Sequence, residues 1–209
     1  MSNTCSNVMK RLLTIFMILF SVGAEAQDAS SHRFTYGAEW GYVAVFYSGY
    51  HYNFFDPEGF RADIRDSGLK LENNAEVYLH CGYNLNAKTN LSLYLGYSAI
   101  EDYHNTVPIS LRLTRYFDFN RYNDRWFTYF DIGSGISLKH DPQEILTGKI
   151  GCGYRMALSQ NTSLDFIAAI RCVYTHPDIT YYGENIPHSN VNRNNAYAGA
   201  LSLGMALTF

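Results

Sequence analysis

Long apolar runs are missing from almost all of this sequence. Beyond Val22 no stretch approaches the roughly 20 consecutive apolar residues that a spanning helix needs, and the mean hydropathy is −0.19. A bundle of transmembrane helices is therefore excluded. Charge is scarce as well: 17% of the 209 residues are Asp, Glu, Lys or Arg, against about 25% in ordinary globular domains. Lysine is the scarcest of the four, with only Lys70, Lys88, Lys139 and Lys149 after residue 26. Cys5, Cys81, Cys152 and Cys172 lack the close spacing of a metal site. The sequence is rich in rings, with 18 Tyr, 13 Phe and 2 Trp, too many for a chain unable to build a core.

The N-terminus has the layout of a secretory signal peptide. Lys10 and Arg11 precede the apolar stretch Leu12 to Val22, and Ala24-Glu25-Ala26 supplies small residues before a cleavage point at Gln27. Cys5 precedes the apolar stretch, where it cannot be a lipidation cysteine. Residues 1–26 are thus expected to be removed, leaving residues 27–209 as one domain. Without Lys10, Arg11 and Glu25 the remainder carries 14 basic and 18 acidic residues, a balance that points away from nucleic acid. Cys81, Cys152 and Cys172 remain, and an odd number in an exported chain makes no disulfide framework. They read as small apolar side chains on strand faces.

Period-2 alternation then recurs in eight segments. In Arg33 to Tyr47, Phe34, Tyr36, Trp40 and Tyr42 oppose Thr35, Gly37, Glu39 and Gly41. Asn74 to Leu85 sets Val77, Leu79 and Cys81 against Glu76, Tyr78 and His80, and Leu91 to Ala99 sets Leu93 and Leu95 against Ser92 and Tyr94. Val107 to Phe117 opposes Leu111 and Leu113 to Arg112, and Trp126 to Leu138 opposes Phe130 and Ile132 to Asp131 and Gly133. Ile150, Cys152 and Tyr154 face away from Lys149, Gly151 and Arg155, while Phe166, Ile170 and Cys172 face away from Asp165 and Arg171. In Asn195 to Phe209 the apolar face is Leu201, Leu203, Met205, Leu207 and Phe209, against Ser202, Gly204 and Thr208.

Eight amphipathic strands call for closure, since an open sheet would expose unpaired edges. Closure can be of two kinds. A soluble, lipocalin-like barrel turns its apolar face inward, and an outer-membrane barrel turns it toward lipid. Glycines and balanced charges share one face here, with Glu39, Glu76, Asp131 and Asp165 against Arg112, Lys149, Arg155 and Arg171. That suits a narrow interior, where buried charges must be paired. Few lysines are available to coat a solvated exterior. Connections after the second, fourth and sixth segments are short or moderate, whereas 48–73 and 177–194 are long, as in transmembrane barrels with short periplasmic turns and longer external loops.

The final strand, Ala198 to Phe209, with apolar residues at alternate positions and a terminal Phe, resembles the C-terminal signal of outer-membrane barrels. The chain after residue 26 resembles the small eight-stranded outer-membrane β-barrel proteins of Gram-negative bacteria, the OmpA-like and OmpX-like class. The resemblance implies an all-β, eight-stranded antiparallel up-and-down transmembrane barrel in the cell outer membrane, monomeric and without a cofactor. It implies outer-membrane lipids as surroundings, and recognition by the barrel assembly machinery through Leu203, Leu207, Met205 and Phe209.

The expected lumen is an ionic plug in which Arg112 meets Asp131 and Arg155 meets Asp165. The alternative is a narrow channel, or a proton path through His80 and Glu76. A second alternative is enzymatic: His188-Ser189-Asn190 is faintly similar to the His-x-Ser-Asn motif of lipid A deacylases, which would make His188 the base and Ser189 the nucleophile. In this chain the two are adjacent, and no Asp or Glu follows Glu184. No metal is expected, since His51, Asp56 and Glu58 have no recognisable ligand geometry. The aromatic run Tyr47 to Phe55 either extends the first strand and packs against the last loop, or binds an extracellular partner or saccharide together with 177–194.

Overall fold

A computed structural model describes residues 33–56, 58–99, 105–120, 123–137 and 144–209. The expected leader, residues 1–26, lies outside the described residues, as do Leu138, Lys139 and Pro57. Alternation becomes strand throughout: β1 (Phe34–Phe55), β2 (Arg61–Asn84), β3 (Thr89–Ala99), β4 (Asn105–Tyr116), β5 (Arg125–Ser137), β6 (Glu144–Ala157) and β7 (Ser163–Thr175). A small hairpin, β8 (Thr180–Tyr181) and β9 (Glu184–Asn185), then leads through a 3-10 turn at His188–Asn190 to β10 (Val191–Thr208). The seven strands β1 to β7 pair antiparallel in sequence order, and β10 closes the barrel by pairing with both β7 and β1. At the seam Tyr36 and Phe209 exchange backbone hydrogen bonds of 3.1 and 2.8 Å, and their rings stack at 5.6 Å.

The turns at one end are tight because short polar side chains cap their backbones. Asn86 Oδ1 accepts from the Lys88 amide at 2.8 Å, Asp118 Oδ1 from Asn120 at 3.1 Å, and Ser159 Oγ from Thr162 at 3.1 Å. At the other end the first expected loop proves to be mostly strand, and the second is strand in part. β1 continues to Phe55 and β2 begins at Arg61, so 48–73 is a tall hairpin whose turn is closed by Asp56 Oδ1 accepting from the Phe60 amide at 2.7 Å. Gly59 in that turn has φ +87, a conformation that strains any residue with a Cβ. Segment 177–194 likewise holds β8, β9 and the start of β10.

The reason alternation hid this is a bulge. Val45 pairs with Glu72 and Tyr47 with Leu69, leaving Phe46 extra on β1 and Lys70 and Leu71 extra on β2. Past it the inward set of β1 shifts by one residue, from Val43 and Val45 to Tyr50, Tyr52 and Phe54. Above the bulge Phe54, Ile179 and Ile186 form a small buried core, with Tyr52, Ile64, Tyr181 and Val191 packed against it. The run Tyr47 to Phe55 therefore extends the strand and packs on the last connection.

Below the bulge the wall is inverted relative to a soluble protein. Val77, Leu79, Leu93, Leu95, Ile109, Leu111, Ile132, Ile150, Ile170, Leu201 and Leu203 are all exposed on the outside. Rings border this band. Phe34 meets Tyr83 at 5.3 Å and Trp126 meets Tyr154 at 5.1 Å at the turn end, and Tyr47 meets Tyr197 at 6.0 Å below the cap. Glycines on the inner face make room for aromatic side chains: a Cβ at Gly151 would lie 2.6 Å from the Tyr129 ring, and one at Gly153 would lie 2.4 Å from that of Phe127.

Candidate functional site

The interior of the barrel gathers eight of its charged residues into three groups, while a further one, Arg125 of β5, lies 3.7 Å over the Tyr116 ring and donates to the Ala87 carbonyl at 3.2 Å. Glu76 of β2 is the hub of the first. Its Oε2 accepts from Lys149 Nζ at 2.8 Å, Arg171 Nη1 at 3.1 Å and Tyr78 Oη at 3.2 Å, and its Oε1 from Ser202 Oγ at 2.6 Å. Arg171 also donates to Ser98 Oγ at 2.6 Å and Thr147 Oγ1 at 3.2 Å. In the second group Arg112 of β4 donates to both oxygens of Glu39, at 2.5 and 3.1 Å, and through Nε to Asp131 at 3.1 Å. Its guanidinium lies between the rings of Tyr94, at 3.9 Å, and Tyr129, at 4.2 Å, adding cation–π attraction. The third is a bidentate pair, Arg155 with Asp165 at 2.7 and 2.6 Å.

Register explains these meetings: Arg112 is opposite Asp131 on β5, and Arg155 is opposite Asp165 on β7. The first group carries one surplus positive charge and the second one surplus negative charge. They adjoin at Asp131, whose register partner on β6 is Lys149. These eight together are therefore neutral, although neither triad is. Glu76, Asp131 and Arg171 are each 1% exposed. Removing any of them would leave a partner charged and dry.

Toward the turn end one cavity of about 20 Å³ remains, lined by Thr35, His80, Asp165 and Thr208 among others, space for about one water. His80 stacks on Tyr94 at 4.9 Å, and its Nε2 lies 3.4 Å from Thr208 Oγ1. Glu76 is engaged elsewhere, with Tyr78 between the two on β2. Toward the cap the lumen turns apolar, with Val43, Val45 and Ala200 in one cluster and Ile145 and Val173 in another. Sequence reasoning had read that face as small and polar. Missed too were Tyr94, Tyr129, Ser98 and Ser202, which complete the network from the same inward parity as the charges.

On the outer wall of the cap His51 of β1 lies between two arginines. Arg65 Nε lies 3.0 Å from its Nε2, and Arg193 Nη1 lies 3.2 Å from its Nδ1. Asp63 Oδ1 is 2.9 Å from His51 Nε2 and 3.4 Å from Arg65 Nε. Desolvation alone would raise the Asp63 carboxyl, but hydrogen bonds from Arg65 and His51 and the arginine charge hold it below the usual carboxylate range. His188 and Ser189 sit in the 3-10 turn of the cap. His188 Nε2 is 3.6 Å from Asp178, and the Ser189 hydroxyl donates to Asn190 Oδ1 at 3.3 Å. Asp56 holds the hairpin turn, apart from His51 on the wall.

An apolar belt between aromatic rings, around a polar and charge-paired interior, is a pattern that only lipid surroundings stabilise. The chain is an eight-stranded outer-membrane β-barrel. No protein-family model matches it, and no curated protein matches it in sequence. Solved structures share the shape at a distance. The N-terminal β-barrel domain of OprF from Pseudomonas aeruginosa is similar over 81% of this chain and 99% of its own, at 13% identity and a TM-score of 0.43. OprG from the same organism is similar over 87% and 99%, at 10% identity and a TM-score of 0.48. Neisserial surface protein A covers 83% of this barrel and 99% of its own chain, at 14% identity and a TM-score of 0.41. Likenesses this remote carry no activity across to the barrel.

Proposed function

We propose that this barrel has a closed lumen and a structural or surface-interaction role, carried by the cap rather than by transport or catalysis. In this reading the three tight turns face the periplasm, and the hairpin 48–73 with segment 177–194 forms the external surface available to an extracellular partner or saccharide. The chain acts as a monomer without a cofactor, and Leu203, Met205, Leu207 and Phe209 of β10 engage the assembly machinery. The observation that supports closure is the Glu76 hub, where groups from β2, β6, β7 and β10 converge on one carboxylate across the lumen. An open aqueous path would have to break several charge-assisted hydrogen bonds at once. Planar-bilayer recordings of the refolded protein should show no steady conductance. Sustained openings would favour the narrow-channel reading instead.

The enzymatic alternative has less support, because the Ser189 hydroxyl is committed to Asn190 and the acid beside His188 is Asp178, upstream of both. Lipid A mass spectra should be unchanged by expression of the protein. Loss of an acyl chain, abolished by Ser189→Ala, would reverse this conclusion.

A further inference from the structure

The wall of the barrel is not uniformly filled. Across β1, β10, β7, β6 and β5 lies an apolar groove of about 410 Å³, bordered by Tyr47, Tyr197, Tyr174, Leu146 and Ile132, within the size range of small-molecule sites. Its floor is low because Gly148, Cys172 and Gly199 are register neighbours across three strands. Its upper lip is Tyr47 and Tyr197, at the height of the bulge. One outward step above Tyr197, about 7 Å along β10, Asn195 pairs with His51, and there the outer wall becomes cationic. Among the described residues of β1, β2 and β10 on this face, Arg61, Arg65 and Arg193 stand against Asp63, and all three arginines are exposed.

An apolar groove in the lipid-facing wall, with surplus positive charge above its β1–β10 edge, matches one kind of molecule. We propose that this face binds an acylated lipid of net negative charge, with an acyl chain in the groove and a headgroup phosphate monoester on Arg65 and Arg193. Arginine suits the task because its fork pairs with phosphate oxygens in two bonds. His51 lies between the two arginines, on β1 between β2 and β10, and its one acceptor nitrogen can take a hydrogen bond from one of them. The tyrosines at the lip sit where chain gives way to headgroup, the position that amphipathic rings prefer. The inference rests on the lipid-facing reading of the wall, which is tested separately by whether the folded protein needs detergent to stay in solution.

Native mass spectrometry of the folded protein in detergent, titrated with bis-phosphorylated lipid A or with phosphatidylethanolamine, tests the proposal. Lipid A should be retained in preference, and inorganic phosphate at equal concentration should not displace it. The double variant Arg65→Ala/Arg193→Ala should lose roughly thirtyfold in lipid A affinity, with phosphatidylethanolamine unaffected. Gly148→Leu fills the groove from a position where an added Cβ meets only a backbone oxygen at 3.8 Å, and it should weaken both lipids. Equal retention of the two lipids by the natural chain overturns the proposal. So does undiminished lipid A binding in folded Gly148→Leu, even where the arginine variant fails to fold.

Discussion

The strand β1 passes through two environments, and its two halves are built on opposite rules. Below the bulge it turns Glu39 inward to Arg112 and presents Tyr36, Trp40 and Tyr42 outward. Above it, Phe54 goes inward to Ile179 and Ile186, while His51 and its arginines face out. One half is polar inside and apolar outside, and the other half is the reverse. The same backbone ladder serves both, so the solvent, lipid below and water above, decides which face is apolar. Phe46 at the bulge is the residue where the change is made.

If that contrast is right, substitutions should cost most where a charge is left without its partner. Glu76→Ala strips the counter-charge from buried Lys149 and Arg171, and should cost about 3–5 kcal/mol in urea unfolding from micelles. Ile132→Arg places a charge on the lipid face and should cost about 2–4 kcal/mol in the same assay. Asn195→Arg on the outer wall above the bulge should stay within about 0.5 kcal/mol. Equal costs for these two would remove the boundary drawn at the bulge. Phe54→Ala should cost about 2–3 kcal/mol, confined to the cap: proteolysis within 48–73 should speed up, while the barrel should still migrate differently unboiled and boiled on a dodecyl sulfate gel. The smallest effect is that of pH on the cap. The folded Asp63 carboxyl lies below its ordinary value, so its contribution is present above about pH 4 and is lost as pH falls through the folded value. Amide protection in the hairpin, corrected for the intrinsic pH dependence of exchange, should fall over that acid range, and Asp63→Asn should flatten the response.

The barrel was legible because its signal repeats. In segments such as Leu91 to Ala99 or Ala198 to Phe209 every second residue is apolar, and antiparallel neighbours linked by short turns leave little freedom in register. The Arg112–Asp131 and Arg155–Asp165 juxtapositions follow from turn symmetry alone. What stayed hidden depends on positions far apart in sequence. Glu76 meets Lys149, Arg171 and Ser202 across the lumen, and no local pattern sets which inward groups face each other through a closed barrel. The cap stayed hidden because a bulge resets the alternation between Val45 and Tyr47, and because Phe54 finds its partners only in Ile179 and Ile186. The groove beneath the tyrosine lip needed three strands in register before Gly148, Cys172 and Gly199 could be seen side by side.

The three strand cysteines test the inside-out arrangement most directly. Cys81, Cys152 and Cys172 are free and exposed on the outer wall. With the protein folded in phospholipid vesicles, a water-soluble maleimide should leave all three unmodified, and boiling in dodecyl sulfate should make all three react. Rapid labelling of these cysteines in the folded protein would contradict the account, because it would place that apolar wall in water.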